Sequence, residues 1–231
     1  MAPRIGDDVH WFAEHGLYDG LFLIKDEETG TFWDHMTGRA VYGPLVGESL
    51  EVDAGLVQTT VGQVLRATPD ALVTLSDQAI RTDDQMKVDG LMAGIGRRLG
   101  GMFQSTVKEE DGRRPTMDLG IGIWEGDEAR YYPLDLVRSS GRAVVDTFAG
   151  ERVVVLIDPE SFVLAAFRTT GDEPMWEGRI LRLSDGSYVD GGVMYDPSGE
   201  AVEESRPLQV FTRWYGFSLT FPHTDVWGDG R

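Results

Sequence analysis

The alternation of apolar and polar residues predicts short β-strands separated by glycine-containing turns near the start of the chain. Apolar runs at 21–25, 31–33 and 39–42 are separated by the turn sequences "DEETG" and "HMTG". The glycine that closes each turn is free to adopt the positive φ that a tight connection between strands requires. We therefore predict a β-meander in this region.

Helical patterns interrupt the strands in two places. Residues 61–67 predict a short helix, and Pro69 ends it because proline cannot continue a helix. From about 78 to 99, apolar residues recur among polar ones while glycines break the pattern, which predicts one or two further short helices. The charged, turn-rich segment "KEEDGRRP" (108–115) marks the best candidate boundary.

Strand patterns return after that boundary. "LGIGIWEGDEARYYPL" predicts a hairpin around Gly126, and "RAVVDTFAGERVVVLIDP" predicts a second hairpin in which 153–157 form a buried strand. The predicted fold class is mainly β, with two related antiparallel β-rich halves packed together and one or two short helices between them. The halves are 1–77 and 117–231, with 78–116 as a helical connector, and the three segments are compatible with one compact unit.

A short internal repeat supports the relation between the halves. "HMTGRAV" (35–41) matches "DPSGEAV" (196–202), with Thr37 opposite Ser198 and Gly38 opposite Gly199. A second short match, "TPDALV" with "FPHTDV", follows in the same order. The common order predicts a duplication.

The amino-acid composition limits the functional classes that the protein can belong to. The 231 residues include 39 acidic and 21 basic side chains, a formal net charge of -18. Such a surface repels phosphate backbones and anionic lipid, so we expect no nucleic-acid or membrane partner, whereas it favours solubility, salt tolerance or affinity for cations. The absence of cysteine excludes disulfides, thiolate catalysis and cysteine-based metal sites. With no leader pattern and no run of 18 apolar residues, we expect a soluble cytoplasmic protein.

Two segments carry a family resemblance. "GLYDGLFLIKDEETGTFWDHMTGRAVYGPLVGESLE" (16–51) resembles domain-of-unknown-function family 3179 in its Gly-Leu-Tyr start, its Glu-Thr-Gly turn, its Trp and its Thr-Gly-x-Ala. "ARYYPLDLVRSSGRAVVDTFAGERVVVLID" (129–158) resembles an earlier segment of the same family, so the chain resembles a tandem or permuted member. Because no activity is established for the family, the resemblance implies fold more than function.

One departure from the family bears on chemistry. In many members, the strand that corresponds to "VVVLI" leads into a Cys-Pro-x-Cys run with a redox-active or metal-binding character. Here the corresponding residues are Asp158, Pro159, Glu160 and Ser161. The resemblance therefore carries no thiol chemistry to this chain.

Histidines and carboxylates near the N-terminus provide the candidate site residues. His10 and His15 are five residues apart, which places them poorly for chelation in either a strand or a helix. His15 with His35 is the better metal-binding pair, and Asp34 adds a carboxylate beside it. Tyr18, Asp34 and His35 are the candidates for a site facing a cavity. The alternative is that Asp34 and His35 merely belong to a tight turn.

Two functional hypotheses follow. In the first, the protein binds a small ligand or a cation, such as a divalent metal ion, between its halves. In the second, it is a metal-dependent enzyme with His15, His35 and Asp34 as ligands. The aromatic residues between 211 and 227 line a ligand pocket or form core, and a homodimer is a further expectation.

Overall fold

The computed structural model describes residues 4–50, 57–72, 106–107, 110–202 and 205–229. The chain divides into two compact units. The first unit comprises Met1–Val52 and Leu72–Glu110, and the second comprises Asp53–Ala71 and Asp111–Arg231. Both are built mainly from antiparallel strands, which confirms the predicted fold class. Most of the predicted helical connector (78–116) lies outside the described residues.

The first unit contains the predicted meander. A two-stranded hairpin precedes a four-stranded antiparallel sheet whose strands are neighbours in chain order. The strands are β1 (Arg4–Ile5), β2 (Asp8–Val9), β3 (Phe12–Tyr18), β4 (Leu21–Asp26), β5 (Phe32–Asp34) and β6 (Ala40–Tyr42). Trp33 and Ala40 are the buried apolar residues of this sheet.

A β-bulge shifts the register between β3 and β4. Tyr18 pairs with Leu21 next to the turn, whereas Glu14 pairs with Ile24 and Gly16 with Leu23. His15 is therefore the extra residue, and a bulge of this kind bends the strand and redirects its side chains. Beyond the bulge, Phe12 pairs with Asp26.

The second unit contains three sheets and three short helices among its described residues. The helices are α1 (Val61–Ala67), α2 (Leu134–Ser139) and α3 (Trp214–Thr220). The strands are β7 (Leu119–Glu125), β8 (Glu128–Pro133), β9 (Ala143–Phe148), β10 (Glu151–Ile157), β11 (Leu164–Arg168), β12 (Met175–Glu177), β13 (Ile180–Arg182), β14 (Tyr188–Asp190), β15 (Val193–Tyr195), β16 (Leu208–Arg213) and β17 (Asp225–Val226). Among the described residues, no helix is long and apolar enough to cross a membrane.

Strand β10 is buried on both faces. On one face, Val153, Val155 and Ile157 pack against residues of β7, β8 and α2. On the other face, Val154 and Leu156 pack against β13, β14 and β15. The sheet β11–β10–β9 is therefore the middle layer of the second unit, as the unbroken apolar run at 153–157 predicts.

Aromatic rings cover the outer face of β7. Trp214 and Phe217 of α3 are fully buried, and Phe217 lies 6.4 Å from Trp124 and 5.7 Å from Tyr131 between ring centroids. Gly122 makes this packing possible, because a Cβ there would lie 1.9 Å from the Phe217 ring. Trp214 and Phe217, at the centre of the aromatic segment, thus form core.

Replacing Gly122 with alanine tests this packing. We expect Gly122→Ala to lower the free energy of unfolding by about 2 kcal/mol or more, since the added methyl overlaps a buried ring that has nowhere to move. Urea denaturation of the variant measures the loss. Gly112→Ala is the matched control, because a Cβ at Gly112 meets nothing within 4 Å. Equal stability of the two variants would contradict the packing of Phe217 on β7.

Candidate functional site

The turn between β4 and β5 holds a fully buried carboxylate. Asp26 ends β4, and its Oδ1 accepts a hydrogen bond from the Thr29 backbone N–H at 2.6 Å. The Thr29 hydroxyl lies 2.7 Å from Oδ1, and the Trp33 indole Nε1 donates to Oδ2 at 2.8 Å. In the local sequence Asp-Glu-Glu-Thr, the turn thus supplies hydrogen-bond donors to the carboxylate of its own first residue.

These hydrogen bonds keep Asp26 ionised. Burial alone would raise its pKa, but the hydrogen bonds from Trp33 and Thr29, together with the nearby imidazole of His10, outweigh burial and lower the pKa to about 2. Asp26 is therefore a buried anion at neutral pH.

His10 faces this anion with an unpartnered nitrogen. The residue lies between β2 and β3 and is 6 % exposed. Its Nδ1 is 3.6 Å from Asp26 Oδ1 and 3.7 Å from Glu28 Oε2, and it has no hydrogen-bond partner among the described residues. Both separations are longer than a hydrogen bond. A buried polar atom without a partner is rare in folded proteins and calls for a physical explanation.

A backbone donor positions the second carboxylate. The Trp11 N–H donates to both oxygens of Glu28, at 3.2 and 3.0 Å. The Glu27 N–H donates to the Trp11 carbonyl at 2.9 Å, so the β4–β5 turn pairs with the chain that leads into β3. Glu28 therefore lies beside His10 although its side chain is partly open to solvent.

The three side chains form a set with metal-ligand geometry. One donor atom from each of His10, Asp26 and Glu28 lies within 4.8 Å of the others. Donors at 2.1 Å from a tetrahedral ion are separated by roughly 3.4 Å, close to the observed 3.6 and 3.7 Å. The third separation, between the Asp26 and Glu28 oxygens, is within 4.8 Å, and an ion shared by all three groups would give the unpartnered Nδ1 a partner.

Asp34 and His35, predicted as site residues, lie in the turn between β5 and β6. Asp34 accepts hydrogen bonds from the Met36 N–H at 3.0 Å and the Thr37 hydroxyl at 2.7 Å. His35 is exposed, and its Nδ1–H donates to the Phe22 carbonyl at 2.8 Å, while 4.0 Å separates it from Asp34 Oδ1. The turn thus accounts for the Asp34 carboxylate, as one of the two sequence interpretations expects.

His15 and Tyr18, the other predicted site residues, lie on β3. The exposed His15 occupies the bulge and packs edge-on against Phe32, with ring centroids 4.8 Å apart. Tyr18 ends β3 and is 57 % exposed. None of the predicted residues belongs to the three-residue cluster found among the described residues. A metal site formed by His15 and His35 stays a prediction.

Residues 158–161 form a second aspartate-centred turn. Asp158 is 4 % exposed, and its Oδ1 accepts hydrogen bonds from the N–H groups of Glu160 and Ser161 and from the Ser161 hydroxyl. Its Oδ2 accepts from Gln63 on α1 at 2.9 Å.

A cleft of about 620 Å³ lies elsewhere in the second unit, but its polar groups already have partners. Its lining includes Arg152, Arg168 and Asp185. Arg152 pairs with Asp172, Arg168 pairs with Glu151, and Asp185 accepts from the hydroxyls of Thr170 and Ser187. A polar ligand would have to replace these interactions, so the cleft is a weaker candidate binding site than the His10 cluster.

Strand register is the signal from which the cluster can be found. Considered alone, His10 pairs poorly with His15, because both lie in one short segment. The meander pairs Phe12 with Asp26 and therefore brings the residues just before β3 beside the turn just after β4. The convergence of His10 with Asp26 and Glu28 follows from that pairing and not from spacing along the chain.

The fold and the cluster describe a β-rich protein of two units with a histidine–carboxylate site in the first. The chain belongs to the family described as "Protein of unknown function (DUF3179)", whose sequence model matches residues 2–215. No curated protein and no solved structure matches the chain.

The depressed pKa of Asp26 predicts a defined dependence of stability on pH. A carboxylate whose folded-state pKa is lowered stabilises the fold above its unfolded-state pKa near 3.8, and that contribution is lost as the pH falls toward 2. In metal-free protein we expect Asp26→Asn to lose on the order of 1–2 kcal/mol of stability relative to wild type at pH 6. The difference should shrink below about pH 4, because the unfolded wild-type chain then gains a proton that folded Asp26, with its pKa of about 2, does not yet bind.

Urea denaturation between pH 6 and pH 3 measures this difference. Asp127→Asn is the control, because Asp127 is an exposed residue of the β7–β8 turn, and it should match wild type throughout. A stability difference between wild type and Asp26→Asn that stays constant down to pH 3 would refute the ionised state of buried Asp26.

Proposed function

We propose that this protein binds a divalent transition-metal ion through His10, Asp26 and Glu28. The observation that carries the proposal is the buried Nδ1 of His10, which faces two carboxylates and has no hydrogen-bond partner among the described residues. A bound cation gives that nitrogen a partner and neutralises the buried charge of Asp26.

The hydrogen bonds of Asp26 leave room for a metal bond. A carboxylate has about four lone-pair directions. The Thr29 N–H, the Thr29 hydroxyl and the Trp33 N–H account for three donors, since a hydroxyl has a single proton. The Thr29 hydroxyl lies within hydrogen-bond distance of both carboxylate oxygens, at 2.7 and 2.8 Å, and when it donates to Oδ2 the remaining direction is on Oδ1, the oxygen that faces His10. The same donors fix the orientation of the carboxylate, as hydrogen bonds to metal-binding carboxylates do in known sites.

The donor set selects the class of ion. One imidazole nitrogen with two carboxylate oxygens suits zinc, manganese, iron or cobalt, whereas calcium and magnesium prefer oxygen ligands alone. Three protein ligands leave at least one position of a four- or six-coordinate ion for water or another ligand. The open position keeps metal-dependent catalysis as an alternative.

Metal titration tests the proposal. Protein purified without an affinity tag should bind one Zn²⁺ or Mn²⁺ per chain in isothermal titration calorimetry. His10→Ala should weaken binding by about 100-fold, since it removes a ligand, and Trp33→Phe by about 10-fold, since it frees the Asp26 carboxylate to reorient. Co²⁺ absorption and Mn²⁺ relaxation of the His10 ring signals would identify the nitrogen that binds.

Two variants serve as controls and test the other histidines at the same time. His15→Ala and His35→Ala should bind the metal as wild type does. Loss of binding in these variants with retention in His10→Ala would favour the site that the sequence predicts at His15 and His35. If none of these divalent ions binds to the wild-type protein, the proposal fails.

A further inference from the structure

Helix α1 attaches to the second unit through a single buried side chain. Gln63 is the one buried residue of α1 and is 3 % exposed, whereas Val61 and Leu65 are 71 % and 47 % exposed. Burial of a polar amide contributes little hydrophobic stabilisation. The attachment of α1 therefore depends on hydrogen bonds and ion pairs.

The Gln63 carboxamide connects the helix cap to Asp158. Its Oε1 accepts from the Thr60 N–H at 3.0 Å and completes a capping box with Thr60. Its Nε2 donates to Asp158 Oδ2 at 2.9 Å. The amide nitrogen thus occupies the one Asp158 oxygen that the aspartate's own turn does not use.

The remaining contacts of α1 are weak. Arg66 pairs with Glu160 where both side chains are partly exposed, and Gln58 Nε2 donates to the Phe211 carbonyl at 3.4 Å at the surface. A helix of seven residues is not stable by itself in water. Release of α1 therefore breaks one buried hydrogen bond and the partly exposed Arg66–Glu160 ion pair, and uncovers Asp158.

A cation that forms no salt bridge with a described carboxylate lies next to Asp158. The Arg206 guanidinium stacks on Phe167 with 4.2 Å between its Cζ and the ring centroid, and Nη2 donates to the Gly192 carbonyl at 2.6 Å. No carboxylate among the described residues forms a salt bridge with it. Burial lowers the pKa of Arg206 to about 10, and the charge of Asp158 partly offsets that effect. Arg206 is therefore still a cation at neutral pH, and such a partly buried charge is stabilised by an anionic partner.

Asp158, Gln63 and Arg206 converge on a position without a side chain. A Cβ on Gly192 would lie 3.3 Å from Gln63 Nε2, and 3.9 Å from both Asp158 Oδ2 and Arg206 Nη2. An acid and a base therefore flank one small space, and the Gln63 amide fills it from the side of α1.

We propose that α1 covers a binding site for a small zwitterion of the α-amino-acid class and competes with the ligand for that site. When α1 leaves, the ammonium group of the ligand takes the place of the Gln63 amide and donates to Asp158. The carboxylate of the ligand then accepts hydrogen bonds from Arg206, whose planar fork suits a carboxylate. The absence of a side chain at Gly192 leaves room for the carbon that joins the two groups.

Variants that lack the hydrogen bond between Gln63 and Asp158 test this inference, which is independent of the metal site. In Gln63→Ala, the amides of Val64 and Thr68, which close the helix in the wild type, should exchange their hydrogens at least about tenfold faster. A panel of free L-amino acids is titrated by calorimetry and by ligand-observed NMR. At least one of them should bind this variant about tenfold more tightly than wild type, because α1 no longer competes with the ligand. Gln58→Ala is the matched control and should change both quantities less, since Gln58 touches neither Asp158 nor Arg206.

The ligand class is tested with analogues and second-site changes. The amine that lacks the carboxylate, and the N-acetylated amino acid that lacks the cation, should each bind at least about tenfold more weakly than the parent amino acid. Asp158→Asn and Arg206→Gln, each added to Gln63→Ala and checked for folding by circular dichroism, should abolish binding. Arg206→Lys keeps the charge and should bind more weakly than the arginine protein, since lysine lacks the fork.

Three results would overturn the inference. If the α1 amides of Gln63→Ala exchange as slowly as those of wild type, α1 is not held by Gln63. If they exchange rapidly and no amino acid binds, the uncovered space is not a zwitterion site. Binding that the single-charge analogues match, or that survives Arg206→Gln, would show that Asp158 and Arg206 do not act together.

Discussion

The burial of β10 on both faces is the constraint on which the second unit depends. Val153, Val155 and Ile157 face one layer and Val154 and Leu156 the other, so after the exposed Glu151 and Arg152 the strand has no solvated side on which a polar residue is tolerated. The next polar residue must come at its end, and there Asp158 stops the strand. Because the carboxylate emerges from between two apolar layers, it is buried, and its hydrogen bonds must come from its own turn and from whatever packs over it.

The same turn chemistry recurs through both units and changes the meaning of the acidic composition. Five aspartates accept hydrogen bonds from a serine or threonine two or three residues later, at Asp26, Asp34, Asp158, Asp185 and Asp196. In each, a short polar side chain stabilises a turn that the backbone alone would leave unsatisfied. Part of the acidity of this chain is therefore structural, and the net charge of -18 overstates the number of carboxylates available to a ligand.

Local patterns made much of the fold predictable. The helix at 61–67, the hairpin around Gly126 and the buried strand at 153–157 are confirmed because each carries its signal within a few residues. Helices α2 and α3 were missed. Helix α2 has an acidic first turn at Asp135 and a basic last turn at Arg138 but only six residues, and α3 is nearly apolar, so neither shows a helical period.

The candidate site was harder to predict because its residues meet through strand pairing. Spacing within one segment argued against His10 with His15 and led to His15 with His35 as the metal-binding pair, and the Thr-Gly repeat drew attention to the turn that contains Asp34. Neither signal contains the register that sets Phe12 opposite Asp26, nor the bulge at His15 that shifts it by one residue. Without the bulge, a hairpin that pairs Tyr18 with Leu21 would set Ala13 opposite Asp26, and His10 would lie one residue further from the turn.

Asp26 and Asp158 resemble each other closely and differ in one hydrogen-bond donor. The distant donor to Asp26 is fixed in the core, whereas the distant donor to Asp158 can be released. Each ends a strand, each accepts from its own turn, and each receives one more hydrogen bond from a distant side chain. For Asp26 that side chain is Trp33, a fully buried core residue that cannot leave without loss of the sheet's core. For Asp158 it is Gln63, on a short helix held by little else. The carboxylate that keeps its donor can only add a partner, such as a metal ion shared with His10, whereas the carboxylate whose donor can depart is able to exchange partners. The same type of aspartate turn is thus suited to two kinds of binding, because its additional hydrogen-bond donor is fixed in one unit and can be released in the other.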